Sequence, residues 1–225
     1  MSIENYIALN NEIKLYGARL VAISKTKPTP DILALYHAGQ RMFGENKVQE
    51  LVQKYDLLPK DIQWHLVGHL QTNKVKYVAP FVSMVQSVDS LKLLHEINKQ
   101  AEKNNRVIDC LLQMFVADEE TKFGLSTAEL DELLTSEEYA EMKNIRICGL
   151  MGMATNTADE TKIDIEFRAL KDIYSHTKAT YFADAAYFTE LSMGMSSDYK
   201  IALKNGATLV RIGSMLFGNR NTIER

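Results

Sequence analysis

From residue 20 onward the chain alternates between short runs of apolar and β-branched residues and longer stretches whose apolar positions recur every three or four residues. The short runs are LVAISK (20–25), RMFGE (41–45), QWHLVG (63–68), VSMVQSV (82–88), VIDCLLQMFV (107–116), IRICGLMGM (145–153), ELSMG (190–194) and TLVRIG (208–213). Between them lie patterns such as SLKLLHEINKQAEKNN (90–105) and TKIDIEFRALKDIYSHTK (161–178), apolar on one face and charged on the other, as amphipathic helices require. A strand followed by a helix, many times over, is how a chain builds a parallel sheet, because parallel neighbours need a long crossover between them. Eight such units, preceded by a helix predicted from Ile3 to Ala18, predict a (β/α)8 TIM barrel of the α/β class; a doubly wound open sheet is the alternative.

No Pro/Gly/Ser-rich linker or low-complexity tract breaks the pattern, and only a short tail ending FGNRNTIER follows the eighth run, so residues 1–225 are expected to form one domain with no second domain. A domain of this length buries roughly 70–75% of its unfolded surface, enough for a large core. The formal net charge of -3 leaves no basic excess, which argues against nucleic acid or an anionic membrane as partner and favours small molecules or proteins. The N-terminal MSIENYIALNNEIKLYG has charges within its apolar pattern and no cleavage-site signature, and no window approaches the ~20 apolar residues that span a bilayer. Two cysteines, Cys110 and Cys148, sit in apolar runs without metal or disulfide spacing. A cytoplasmic protein is the expectation.

In a barrel the ligand site lies at the carboxyl ends of the strands, so the polar residue ending each run carries the chemical interest. In the first run, alternation places Val21, Ile23, Lys25 and Lys27 on one face, an inward apolar face that ends in two lysines. A desolvated lysine beside a second cation is pushed towards the neutral amine that attacks an aldehyde; the alternative is that one or both lysines extend to the rim and keep their charge in water. After the seventh run comes Ser192-Met193-Gly194-Met195-Ser196-Ser197-Asp198, and the eighth ends Arg211-Ile212-Gly213-Ser214. Small residues with exposed amides at a helix start suit a phosphate, and Ser196 or Ser197 equally suits a helix N-cap with Asp198 in its first turn. Arg211 shares a face with Leu209 and Gly213 and needs a partner there, either a carboxylate such as Glu45 or the ring nitrogen of a cofactor. Being always charged, an arginine keeps a pyridine nitrogen unprotonated and weakens the ring as an electron sink. Asn46, His65, Met151 and Met153 are further strand-end candidates; a histidine beside Trp64 is more often a hydrogen-bonded core residue than an acid or base. Lys122, in ETKFGLS, is placed at the barrel mouth.

Together these motifs resemble the pyridoxal phosphate homeostasis protein family, relatives of the alanine racemase barrel that lack its second domain. The resemblance runs through AISKTKP (22–28), FGENKVQE (43–50), WHLVGHLQTNK (64–74), ETKFGL (120–125), GLMGMAT (149–155), LSMGMSSDYKIAL (191–203) and VRIGSMLFG (210–218), seven blocks in one order. It implies pyridoxal 5′-phosphate as cofactor, Lys25 as the Schiff-base residue, the SMGMS and RIGS segments as the phosphate cradle and Arg211 as partner of the ring nitrogen. The cofactor-binding set is then Lys25, Asn46, His65, Met151, Ser192, Gly194, Ser196, Arg211, Gly213 and Ser214. GLMGMAT departs from the family in Gly152 and Met153, where bulkier or proline-containing variants are familiar, which bears on the wall beside a ring.

The role so implied is to hold and deliver the cofactor and keep its free level in check, with effects on vitamin B6 and on amino-acid and keto-acid pools, without robust turnover. Apo pyridoxal-phosphate enzymes are the expected recipients, Lys27 and Lys122 are candidate transfer lysines, and the chain is expected to be a monomer. Two other readings stand beside it. One is a monodomain racemase or lyase, with Lys25 as one base and His65 or Tyr187 as the other. The other is a barrel that binds a different phosphorylated metabolite.

Overall fold

The computed structural model describes residues 2–117 and 123–218. The eight predicted runs become β1 (Arg19–Ile23), β2 (Met42–Glu45), β3 (Gln63–Leu66), β4 (Met84–Val88), β5 (Ile108–Gln113), β6 (Ile145–Met151), β7 (Glu190–Ser192) and β8 (Leu209–Ile212). Each pairs in parallel with the next, and β8 pairs with β1 from Arg19↔Leu209 to Ala22↔Ile212. That last ladder closes the barrel and excludes the open sheet.

The helices are α1 (Ile3–Leu15), α2 (Thr29–His37), α3 (Val48–Leu57), α4 (Val75–Val78), α5 (Leu91–Lys103), α6 (Thr127–Thr135), α7 (Glu137–Glu141), α8 (Glu160–Tyr181), α9 (Tyr199–Lys204) and α10 (Ser214–Phe217). Their starts follow local chemistry: Ser90 caps α5 through Leu93 N, Ser126 and Glu129 form a capping box on α6, and Asp159 accepts from Thr161 and Lys162 N on α8. Helix α1 stops at Leu15, short of the predicted Ala18, because Gly17 takes a φ of 71° and turns the chain out of the helix.

Strand alternation divides the core in two. Leu20, Ala22, Phe43, Trp64, Leu66, Val85, Ile147, Leu191, Val210 and Ile212 point outward and pack beneath the helices in the larger cluster. Val21, Ile23, Met84, Leu111, Cys148, Met151 and Leu209 fill the barrel interior. The inward faces also carry His65, Gln86, Ser192 and Arg211, all buried. Both cysteines are buried and unpaired, and no helix among the described residues is long and apolar enough to cross a membrane.

The β5–β6 ladder slips by one residue, from Cys110↔Ile147 to Leu111↔Gly149, which resets the alternation so that Leu150 faces outward and Met151 inward, while Gly149 pairs with Glu190 of β7. A Cβ at Gly149 would lie 1.7 Å from the Glu190 carbonyl oxygen, a backbone atom in a closed sheet that cannot withdraw. Gly149→Ala is therefore expected to cost roughly 3 kcal/mol or more of folding stability, measured by urea unfolding; a loss below about 1 kcal/mol would contradict this close approach.

Burial, assisted by the nearby Arg19 charge, holds the His65 pKa down to about 4 from 6.5. The unfolded chain takes up this proton as pH falls through 6.5, while the folded chain takes it up only near 4, so acid favours unfolding across that window. His65 is expected to remove up to about 3 kcal/mol of stability between neutral pH and pH 4. The stability of wild type relative to His65→Gln, measured by urea unfolding at several pH values, should fall as pH drops from neutral to about 4; a constant difference sinks the assignment.

Candidate functional site

Lys25 lies just past the end of β1, where the strand geometry stops and Thr26 adopts a φ of 65°. The loop is held from outside the barrel. Lys54 of α3 sits in the apolar face with Val48 and Leu51, and its buried ammonium donates to Ser24 O (2.7 Å), Glu45 Oε1 (2.6 Å) and Glu50 Oε1 (2.7 Å). Ser24 Oγ donates to the same Glu45 oxygen at 2.6 Å, and the Thr26 amide donates to Glu50 Oε1 at 2.5 Å. Burial pushes the Glu45 carboxyl above its ordinary range against the pull of Lys54. Glu45 thus belongs to the Lys25 loop and is not the partner of Arg211.

A cavity of about 630 Å³ opens at the carboxyl ends of the strands, within the roughly 300–1,000 Å³ usual for small-molecule sites. Its wall brings together Lys25 and Lys27 after β1, Asn46 after β2, Val67 after β3, Met153 after β6, Ser196 and Ser197 after β7, Arg211 on β8, and Gly213 and Ser214 where α10 begins. A short helix following the eighth strand is a recurrent anion site in barrels, because first-turn amides have no acceptor within the helix. Gly213 N donates to Ser196 Oγ at 3.4 Å, joining the two loops. Gly194 permits the first of them to fold: its φ is 92°, and a Cβ there would lie 2.5 Å from that of Ala202. Lys27 Nζ donates to the Phe217 and Gly218 carbonyls, each at 3.1 Å, and so ties the end of α10 to the β1 loop.

Arg211 is 5% exposed, and burial draws its pKa down to about 10, opposed by the charge of Asp198. Its guanidinium donates through Nη1 to Ser192 Oγ (2.6 Å) and through Nη2 to the Gly152 carbonyl (3.0 Å). No carboxylate forms an ion pair with it among the described residues. A buried, permanently donating cation with neutral partners, facing a cavity, suits an acceptor atom of a bound molecule. Asp198 does not sit in the first turn of a serine-capped helix as anticipated. It occupies the N-cap position of α9 itself, and its carboxylate accepts from Met195 N at 2.5 Å, closing the loop instead of capping the helix.

Of the residues singled out from sequence, Lys25, Asn46, Ser196, Arg211, Gly213 and Ser214 line this cavity. Ser192 and Met151, both fully buried, lie in the barrel interior, where strand alternation puts them on inward faces below the loops. Gly194 lies buried within the β7 loop. His65 lines a different cavity, about 380 Å³, with Arg19, Asp109, Arg146, Tyr187 and Glu190, residues at or near the starts of their strands. Lys122 lies outside the described residues. Sequence reasoning passed over Gln86, Lys54 and Glu50. The signal was present for two of them: Gln86 is a polar residue at an inward position of an apolar run, and Lys54 follows Leu51 by three on an apolar helical face.

The chain matches the family model described as alanine racemase, N-terminal domain, over residues 3–221. It is 40% identical over 204 residues to a protein of Aquifex aeolicus named pyridoxal phosphate homeostasis protein, covering 90% of this chain and 87% of that one. Among solved structures it resembles PipY of Synechococcus elongatus without PLP, at a TM-score of 0.89 and 32% identity over 97% of this chain and all of the other. The same protein with PLP bound gives a TM-score of 0.86 at 32% identity, covering 96% of this chain and 99% of that one. With similarity that spans both sequences and one barrel architecture throughout, the chain belongs to the pyridoxal phosphate homeostasis protein family, built on the alanine racemase N-terminal domain.

Proposed function

We propose that this chain binds pyridoxal 5′-phosphate in the 630 Å³ cavity, as a Schiff base on Lys25, and acts in the cytoplasm as a carrier and regulator of the cofactor rather than as a turnover catalyst. The observation that carries the reading is that Lys25 and Arg211 line one cavity with Ser196, Gly213 and Ser214. These are three kinds of contact, and the cofactor needs all three. A primary amine suits an aldehyde, hydroxyls and first-turn amides suit a phosphate, and a charged donor suits an unprotonated ring nitrogen. The PLP-bound PipY structure supports the same reading. When bound, the cofactor supplies an electrophilic aldehyde carbon and a conjugated ring.

The remaining work falls to the chain. The Ser24–Glu45–Lys54 cluster presents Lys25, Asn46 and Met153 form wall beside it, and Gly194 lets the β7 loop reach Gly213. Ser192 and Gly152 hold Arg211 from behind, while Met151 packs in the interior layer. A carrier role, delivering cofactor to apo pyridoxal-phosphate enzymes and thereby influencing amino-acid and keto-acid pools, is favoured over racemisation by one feature. His65 and Tyr187, the candidates for a base opposite Lys25, line the cavity of about 380 Å³ instead.

Incubation with pyridoxal phosphate, borohydride reduction and peptide mapping are expected to place the adduct on Lys25 and to lose it, with the visible band, in Lys25→Ala. An adduct spread over surface lysines, or unchanged in the variant, rejects the Schiff-base assignment. Pyridoxal without its phosphate is expected to bind about a hundredfold more weakly, the equivalent of two charge-assisted hydrogen bonds. Equal affinity by spectral titration would remove the phosphate cradle from the proposal.

A further inference from the structure

Gln86 and His65 do not line the cavity that contains Lys25, yet they are connected to it. Arg211 Nη1 donates to Ser192 Oγ at 2.6 Å, Ser192 Oγ donates to Gln86 Oε1 at 2.6 Å, and Gln86 Nε2 lies 2.8 Å from His65 Nδ1. The four side chains are no more than 5% exposed and come from β8, β7, β4 and β3, so the series crosses the barrel interior between β7 and β4. Its far end is at the second cavity, which His65 lines with Arg19 and Arg146.

The direction of the bonds follows from the first together with the placement of the Gln86 amide, whose Oε1 faces Ser192. A guanidinium has donors only, so the Ser192 oxygen accepts from it and turns its own hydrogen to the next acceptor, Gln86 Oε1. The Gln86 amide then points its NH2 at His65, and Nδ1 must accept. A neutral imidazole that accepts at Nδ1 carries its proton on Nε2, and burial keeps the ring neutral well below physiological pH. No hydrogen bond is made to Nε2 by the described residues, so this N–H remains on the edge of the ring away from Gln86. Four buried polar groups in one polarised series are costly to leave half-satisfied, and this gives the arrangement its stiffness.

We propose that Gln86 and His65 are positioning residues for Arg211: a one-way hydrogen-bond relay across the barrel fixes the guanidinium against the bound ring and holds His65 as the Nε2–H tautomer. The relay itself stands on the geometry of the chain; its effect on a bound ring rests on the proposed binding of pyridoxal phosphate.

Two measurements test it. In the cofactor-free protein near neutral pH, imidazole 15N spectra are expected to show His65 as the single Nε2–H tautomer, and Ser192→Ala to release a mixture of tautomers. Protonation on Nδ1 in the wild type, or a spectrum untouched by Ser192→Ala, overturns the relay. In the loaded protein, Gln86→Leu and His65→Leu are expected to weaken pyridoxal phosphate binding about tenfold, through loss of hydrogen bonds that hold a buried charge. His65→Gln, which keeps an acceptor for Gln86, should return affinity to within about twofold of wild type. A His65→Gln chain as weak as His65→Leu shows a packing role only and overturns the proposal. If the wild type takes up no pyridoxal phosphate, the reading of the cavity fails, and the tautomer measurement alone then decides the relay.

Discussion

Arg211 is a cation at 5% exposure on an inward strand position, and a guanidinium can only donate. Each neighbour therefore has to offer an acceptor, and those at hand are uncharged: a serine hydroxyl on β7 and the backbone carbonyl of Gly152 after β6. Asp198 contributes from further away, through its charge. Without a bonded carboxylate the guanidinium keeps its positive field directed into the cavity, where a molecule with an electron pair or a negative charge can use it. Of the two positions read from sequence as a change in one wall, Met153 lines the cavity, whereas a Cβ on Gly152 would face Leu170 and Val116; the Gly152 carbonyl that holds Arg211 is one that any residue would supply.

Two polar networks support the two central residues from opposite sides of the sheet. Behind β1, outside the barrel, the Lys54 ammonium bridges Glu45, Glu50 and the Ser24 carbonyl and so fixes the turn that presents Lys25. Inside the barrel, the series from Ser192 to His65 backs Arg211. Breaking a buried ion pair by removing one partner leaves an uncompensated charge and costs far more than a surface pair. The same low dielectric that makes these networks expensive makes them rigid, and rigidity is what a site needs when it must hold a lysine and an arginine at fixed separation.

The two mouths of the barrel differ in kind. At the carboxyl ends, loops of glycine and serine leave backbone amides and hydroxyls around the cavity with Lys25 and Arg211. At the opposite mouth, Arg19 pairs with Glu190 and Arg146 with Asp109, so that the charges lining that cavity are largely matched to one another. The amine, hydroxyl and guanidinium groups suited to a ligand are gathered where the strands end, the usual place for a site in this architecture.

The repeated β/α pattern, the strand count and the inward placement of Val21, Ile23, Leu209 and Arg211 were determined by the sequence alone, because strand alternation has a period of two within a regular strand. Lys25, Arg211 and the Ser196, Gly213 and Ser214 loops were legible for the same reason: each ends a recognisable run. Closure of the sheet was decided only by the tertiary structure, since the β1–β8 ladder joins residues about as far apart as the chain allows. Tertiary structure also chose the partners. Glu45 was the carboxylate that the sequence offered to Arg211, but the register of β2 turned it outward to Lys54, while β7 turned Ser192, read from sequence as part of the phosphate loop, inward to Arg211. His65 was legible as a buried histidine, but the mouth it lines and its bond to Gln86 depend on how far along the barrel axis β3 and β4 are staggered, which local pattern does not encode.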